Sequence, residues 1–153
     1  IFPSADLIFT SGSTFMTRPI MDQKENGPFV FSSGREGRYL NQVDLSVIDE
    51  NDRIINRSYY EAKIRYLKKR IERYQDKDPT IPLNDLYADN PNILTNIRSS
   101  RETIKEMKGL LSQRTNSISF QNVAMESKIK DDPEMLDYVN QALEQCNDLM
   151  MQK

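Results

Sequence analysis

The side chains that do most protein chemistry are nearly missing from this sequence. Its 153 residues include no histidine and one cysteine, Cys146. Ser-His-Asp and Cys-His nucleophile systems, zinc sites built on Cys and His, His-held haem and iron–sulfur clusters are therefore excluded. Carboxylate chemistry remains. Glycosidase-type catalysis needs only two Asp or Glu, but most of the 23 acids alternate with Lys or Arg, as they do on a solvated face. A calcium loop starting at Asp49 fails on spacing: Glu61 stands at the thirteenth position instead of the twelfth, and Ile54 where the sharp-turn glycine belongs.

Two short motifs carry less than they suggest. Gly34-Arg35-Glu36-Gly37 has the GxxG form that clamps a nucleic-acid backbone between two helices in KH domains. Here it follows the apolar strip Phe29-Val30-Phe31 and reads as a turn. Asn56-Arg57-Ser58 matches the glycosylation triplet, yet at the start of a helical pattern it reads as a capping cluster. Neither a Walker lysine loop nor a dinucleotide fingerprint is present. No catalytic, metal-binding or cofactor-binding residues are expected, and the chain reads as a protein that is not an enzyme and takes no cofactor.

Charge narrows the partners further. Net charge is −2, but residues 51–78 hold nine basic against five acidic side chains. Phosphate neutralisation needs a patch of one sign, whereas Glu61, Glu72 and Asp76 interrupt this one. Nucleic acid is not an expected partner. Apolar runs such as Leu7-Ile8-Phe9 and Leu149-Met150-Met151 fall far short of the ~20 residues that cross a bilayer, so no membrane span is expected. A lone cysteine makes no intramolecular disulfide, which favours an intracellular, cytoplasmic setting. The chain opens at Ile1 in place of methionine, and a preceding segment is expected.

The elements follow from breakers and periodicity. Residues 1–45 carry Pro3, Pro19, Pro28, Gly12, Gly27, Gly34 and Gly37, leaving no room for an ordinary amphipathic helix. With only Leu7-Ile8-Phe9 and Phe29-Val30-Phe31 as apolar strips, this segment reads as an extended arm that docks on another chain through Phe9, Phe15, Phe29 and Phe31. From Ser46 onward the period turns helical. Tyr60, Ile64, Leu67, Ile71 and Tyr74 share one seam, predicting a helix over about 50–77 that ends before Pro79. Asn90 and Pro91 open a second helix over 91–112, whose seam runs Ile93, Ile97, Ser100, Ile104, Met107 and Leu111. Asp132 and Pro133 open a third over 132–152, with Leu136, Val139, Leu143, Cys146 and Met150 in its seam. Phe120, Val123, Ala124 and Ile129 suggest a short helix over 119–129.

The third helix, in the step Val139-Asn140-Gln141-Ala142-Leu143, is similar to the last helix of the GAT modules of endosomal sorting adaptors. The likeness covers roughly the last 60 residues at the level of pattern, and the long segment 112–131 departs from it. The resemblance implies a three-helix bundle that binds ubiquitin or a small GTPase.

The fold expected from all of this is all-α: a three-helix bundle, or a helical hairpin plus a packed third helix, over 46–153, preceded by a largely irregular arm over 1–45. The function expected is that of a structural subunit assembling with other protein chains, in a large assembly, through Phe9, Phe15, Phe29 and Phe31 of the arm and Tyr60, Leu67, Leu136 and Leu143 of the helical seams. A GAT-like trafficking adaptor is the alternative.

Overall fold

Aromatic and β-branched residues fit a pleated, half-buried surface, and both apolar strips of the N-terminal arm become strands. In the computed structural model, which describes residues 5–10, 14–23, 27–126 and 128–151 (the backbone alone for 148–151), β1 spans Leu7–Thr10 and β2 Phe29–Ser32. Pro3, Gly12 and the expected helix end at Gln152 lie outside the described residues. The two strands run parallel, Leu7 opposite Phe29 and Thr10 opposite Ser32, and the chain between them is long enough for the crossover that parallel pairing requires. Part of that crossover is tied to β2 by side chains. Thr17 donates its N–H to the Ser32 carbonyl at 2.9 Å, while its hydroxyl accepts from the Ser32 N–H at 3.0 Å and donates to the Val30 carbonyl at 3.1 Å.

After β2 the chain reverses through Gly34, Glu36 and Gly37, all three with positive φ. A non-glycine residue rarely holds this conformation, and Glu36 sits there with its carboxylate paired to Arg35 and Arg38. Strand β3, Tyr39–Ser46, follows, and the expected boundary at 45/46 falls inside it. A second sheet has the order β3-β5-β4, in which β4 (Ile55–Asn56) lies parallel to β5 (Ser117–Ala124). Between these two parallel strands run α1 (Arg57–Gln75), the single turn α2 (Leu83–Leu86) and α3 (Pro91–Ser112).

Two groups of buried side chains stand out among the described residues. Phe29 and Phe31 from β2 meet Ile118 and Phe120 from β5, with Leu7, Val43 and Ile54 against them; Phe31 lies edge-on to Phe120 at 4.9 Å. Helices α1 and α3 pack on each other, burying Tyr60, Ile64 and Leu67 on α1 and Ile97 on α3. Ser100, the polar member of the α3 seam, is buried too, and its hydroxyl is satisfied by the Asn96 carbonyl one turn back, at 2.7 Å.

The start of α1 is set by tertiary bonds. Asn116, 3% exposed, accepts at Oδ1 from the N–H groups of Ile48 (2.6 Å) and Asp49 (3.0 Å). Its Nδ2 donates to the carbonyls of Asp49 and Asp52, and its own carbonyl accepts from the Ile55 N–H at 2.9 Å. Residues 48–55 are thereby claimed as loop and strand. The helix begins instead at Arg57, capped by Asn56, whose Oδ1 accepts from the Tyr59 N–H at 3.0 Å.

The all-α expectation, and with it the helical bundle, is therefore wrong: five strands in two sheets accompany the four helices found among the described residues. The stretch 119–129, expected to turn as a short helix, is largely β5, because Ile118 and Phe120 alternate into the core with period two. The arm is likewise not irregular throughout, since β1 and β2 form a sheet and β2 supplies half of the main aromatic cluster. The chain divides into two compact units, Ile1–Val123 and Ala124–Lys153, the second holding α4 (Pro133–Met151).

Two outcomes follow for chemical denaturation of the full chain. Phe31→Ala is expected to cost about 3–5 kcal/mol, and Phe9→Ala, which removes a 62% exposed ring stacked on Phe31 at 5.5 Å, less than about 1.5 kcal/mol; equal losses would contradict the placement of the core. Asn116→Ala strands two N–H groups and two carbonyls of the 48–52 loop and is expected to cost about 2–4 kcal/mol. A loss inside the ordinary surface range, below about 0.5 kcal/mol, would show that the clamp contributes nothing.

Candidate functional site

Among the described residues, helix α4 carries more large exposed apolar side chains than any other helix or strand. Its start follows from Asp132, whose carboxylate accepts from the Met135 N–H at 3.0 Å and whose carbonyl accepts from the Leu136 N–H at 2.9 Å. Pro133 then takes the first helical position, where a missing N–H costs nothing. Met135, Leu136, Val139 and Leu143 are 43–61% exposed, and Tyr138 is 70% exposed. The seam positions Leu136, Val139, Leu143 and Cys146 keep gaps of three, four and three, so they share one face. Beside that seam stand Met135, Asn140, Ala142 and Asn147, none of them charged. Glu134, Asp137 and Glu144 fall on the opposite side of the helix, where Asp137 accepts from the Gln141 amide at 2.8 Å. An apolar face without charge at its edges, on a helix charged only behind, is suited to lie against another apolar helix.

A cleft of about 360 Å³ lies at the N-terminal end of α1, lined by Asp22, Gln23, Phe29, Arg53, Ile54, Ile55, Asn56, Tyr59 and Tyr60. Gln23 reaches it because its Oε1 accepts from the Val30 N–H at 2.6 Å, which fixes the end of the 14–23 segment to β2. Asn56 reaches it as the helix cap. Burial pushes the Tyr59 phenol above its ordinary pKa, and the negative charge of Asp22 pushes it the same way.

The residues expected to bind a partner are spread over several places. Phe29 and Phe31 are in the aromatic core, Tyr60 and Leu67 are buried on α1, Phe9 and Phe15 are exposed, and Leu136 and Leu143 are exposed on α4. Of these, the structure brings Phe29 and Phe31 into one cluster, stacks Phe9 on Phe31, and sets Phe29 and Tyr60 in the wall of one cleft. The GxxG segment is the left-handed turn before β3, and Asp49 accepts from the Asn51 N–H at 2.8 Å in a tight loop. Among the described residues no group of three or more Cys, Asp or Glu side chains is placed to hold a metal ion, and no helix is long and apolar enough to cross a membrane. Cys146 is exposed. The cleft was not legible in the sequence: Asn56 showed only its capping role, and nothing around Gln23 marks it.

Comparison with protein-family models, curated proteins and solved structures gives no match. The three-helix bundle implied by the likeness to GAT modules is not the fold of this chain.

The Tyr59 shift has a sign that can be tested. A raised phenol pKa means that the unfolded chain loses this proton first, so the contribution is present at neutral pH and is lost as pH rises above the ordinary tyrosine value. Asp22→Asn is expected to bring the Tyr59 titration part of the way down, read by NMR of ring-labelled tyrosine. An unchanged midpoint would remove Asp22 as a cause.

Proposed function

We propose that this protein is a non-enzymatic assembly subunit that joins protein chains through the apolar face of α4, and that the chain it meets there is a second copy of itself. One observation carries the reading: large apolar residues stand exposed along one face of a nineteen-residue helix whose described charges, Glu134, Asp137 and Glu144, lie on the opposite side. Such a helix loses little by pairing, because each exposed leucine or valine removed from water contributes about 1.5–3 kcal/mol when fully buried. Self-pairing fits because identical helices repel each other when like charges flank their seam, and here the flanks are Met135, Asn140, Ala142 and Asn147. The two asparagines offer hydrogen bonds across the edge. Among the described residues of the N-terminal arm, the exposed phenylalanines Phe9 and Phe15 enter the same reading.

Sedimentation equilibrium of the full chain tests this directly. The wild type is expected to self-associate with rising concentration, and Leu136→Glu with Leu143→Glu to be monomeric, with the helical signal of α1 and α3 retained. A wild type that stays monomeric at every concentration, or a charged variant that assembles as well as the wild type, would overturn the reading.

A further inference from the structure

The segment 14–21 and the turn before β3 enclose a groove of about 580 Å³. Arg18 lines it from the first side and Arg35 and Arg38 from the second, with no Asp or Glu among the described residues of its wall. Backbone bonding holds the two sides together: Met16 and Ser33 form an antiparallel bridge, and the Thr17 N–H donates to the Ser32 carbonyl at 2.9 Å. Arg18 stands at the start of a tight turn in which its carbonyl accepts from the Met21 N–H at 3.0 Å. Behind the wall, the Glu36 carboxylate pairs with Arg35 at 3.3 Å and with Arg38, which offsets one of their two charges. Arg18 pairs with no carboxylate among the described residues. Two positive charges are therefore left over at one groove, on side chains that water reaches.

We propose that this groove binds a small phosphate monoester carried on a flat apolar body, such as an aryl phosphate. Each part of the ligand answers a part of the wall. A phosphate monoester carries about −1.5 to −2 charge at neutral pH and three acceptor oxygens, which matches the two charges left over. Guanidinium groups present forked N–H donors that bond phosphate oxygens in pairs, and a phosphate seated between Arg18 and the Arg35–Arg38 pair meets donors from both sides. Phe15, Ile20 and Tyr39, each 38–57% exposed, offer apolar surface to the body of the ligand. The volume lies in the range of small-molecule sites, which set a few charged groups in an apolar wall. The groove lies wholly in the first unit and nothing in it depends on α4, so the proposal stands apart from the assembly reading.

The test uses phenyl phosphate on the full-length chain at physiological salt, with phenol as the ring alone and benzenesulfonate as a ring with a single negative charge. NMR titration is expected to show phenyl phosphate moving the backbone signals of Gly34 and Tyr39 and the side-chain Nε–H signal of Arg18, with benzenesulfonate at least about fivefold weaker and phenol without effect. Phenyl phosphate affinity is expected to fall as the pH drops through about 6, where the ester regains its second proton. The chain has no histidine to titrate in that range, so the fall reports the ligand. Arg18→Gln is expected to weaken phenyl phosphate at least about tenfold, the loss of a hydrogen-bonded charge, and Arg70→Gln, on α1 and outside the groove, to leave it unchanged. Thermal melting checks that both variants remain folded; should Arg18→Gln not fold, Arg35→Gln with Arg38→Gln takes its place. The proposal is overturned if the wild type does not bind phenyl phosphate, if the signals that move lie outside the groove, or if benzenesulfonate binds as tightly. It is equally overturned if the affinity ignores pH, or if Arg70→Gln weakens binding as much as the groove variant does.

Discussion

Everything in the first unit hangs on how β5 is received. It lies between β3 and β4, presents Ile118 and Phe120 to the phenylalanines of β2, and is anchored at its start by Asn116. The Asn116 side chain is used completely: two donors come to its oxygen and its nitrogen donates to two carbonyls. Further along, the Ser58 hydroxyl donates to the Phe120 carbonyl at 2.9 Å and accepts from the Phe120 N–H at 2.7 Å, so the first turn of α1 extends the bonding of β4. Asn122 then donates to the Thr17 carbonyl at 3.0 Å and to Asn41 Oδ1 at 2.7 Å. Polar side chains, more than apolar ones, decide which backbone lies beside which. Buried polar groups must be satisfied, and here satisfying them fixes the register.

The same bonds explain what the sequence could show. The helical seams of α1 and α3 were legible because a stripe of apolar residues, an Asn cap and an N1 proline are local signals that survive in a packed protein. The sheets were not. Ile118-Ser119-Phe120 alternates, but Phe120, Val123 and Ala124 also recur at helical spacing, and over so few residues the two periods compete. What settles the competition is a set of long-range partners: Phe29 and Phe31 in front, Ser58 alongside, Ile55 across. None of these is adjacent in sequence. The arm misled for the opposite reason, since its glycines and prolines mark turns that are real while the strands between them are too short to announce themselves. Of the surface features, the α4 face could be read from its heptad, whereas the cleft depends on Gln23 and Asn56, each drawn in by the backbone N–H its oxygen accepts.

Two kinds of incompleteness therefore stand in one chain. On α4 it is apolar surface in water; beside the start of α1 it is two buried amide nitrogens, of Gln23 and Asn56, without acceptors among the described residues. The first is non-directional and is relieved by any well-shaped hydrophobic neighbour, while the second is directional and is relieved only by an atom of the right type in the right place.

The central strand of the second sheet is also the last strand among the described residues, and this has a consequence during synthesis. A ribosome delivers Phe29 and Phe31 long before Ile118 and Phe120, and the two parallel strands β4 and β5 cannot meet until α1, α2 and α3 have emerged between them. Pairings across such distances are slow to form. Until β5 has been made, the Phe29 and Phe31 faces that meet it are uncovered and the edge of β3 is unpaired, the kind of surface that nascent chains aggregate through unless it is shielded.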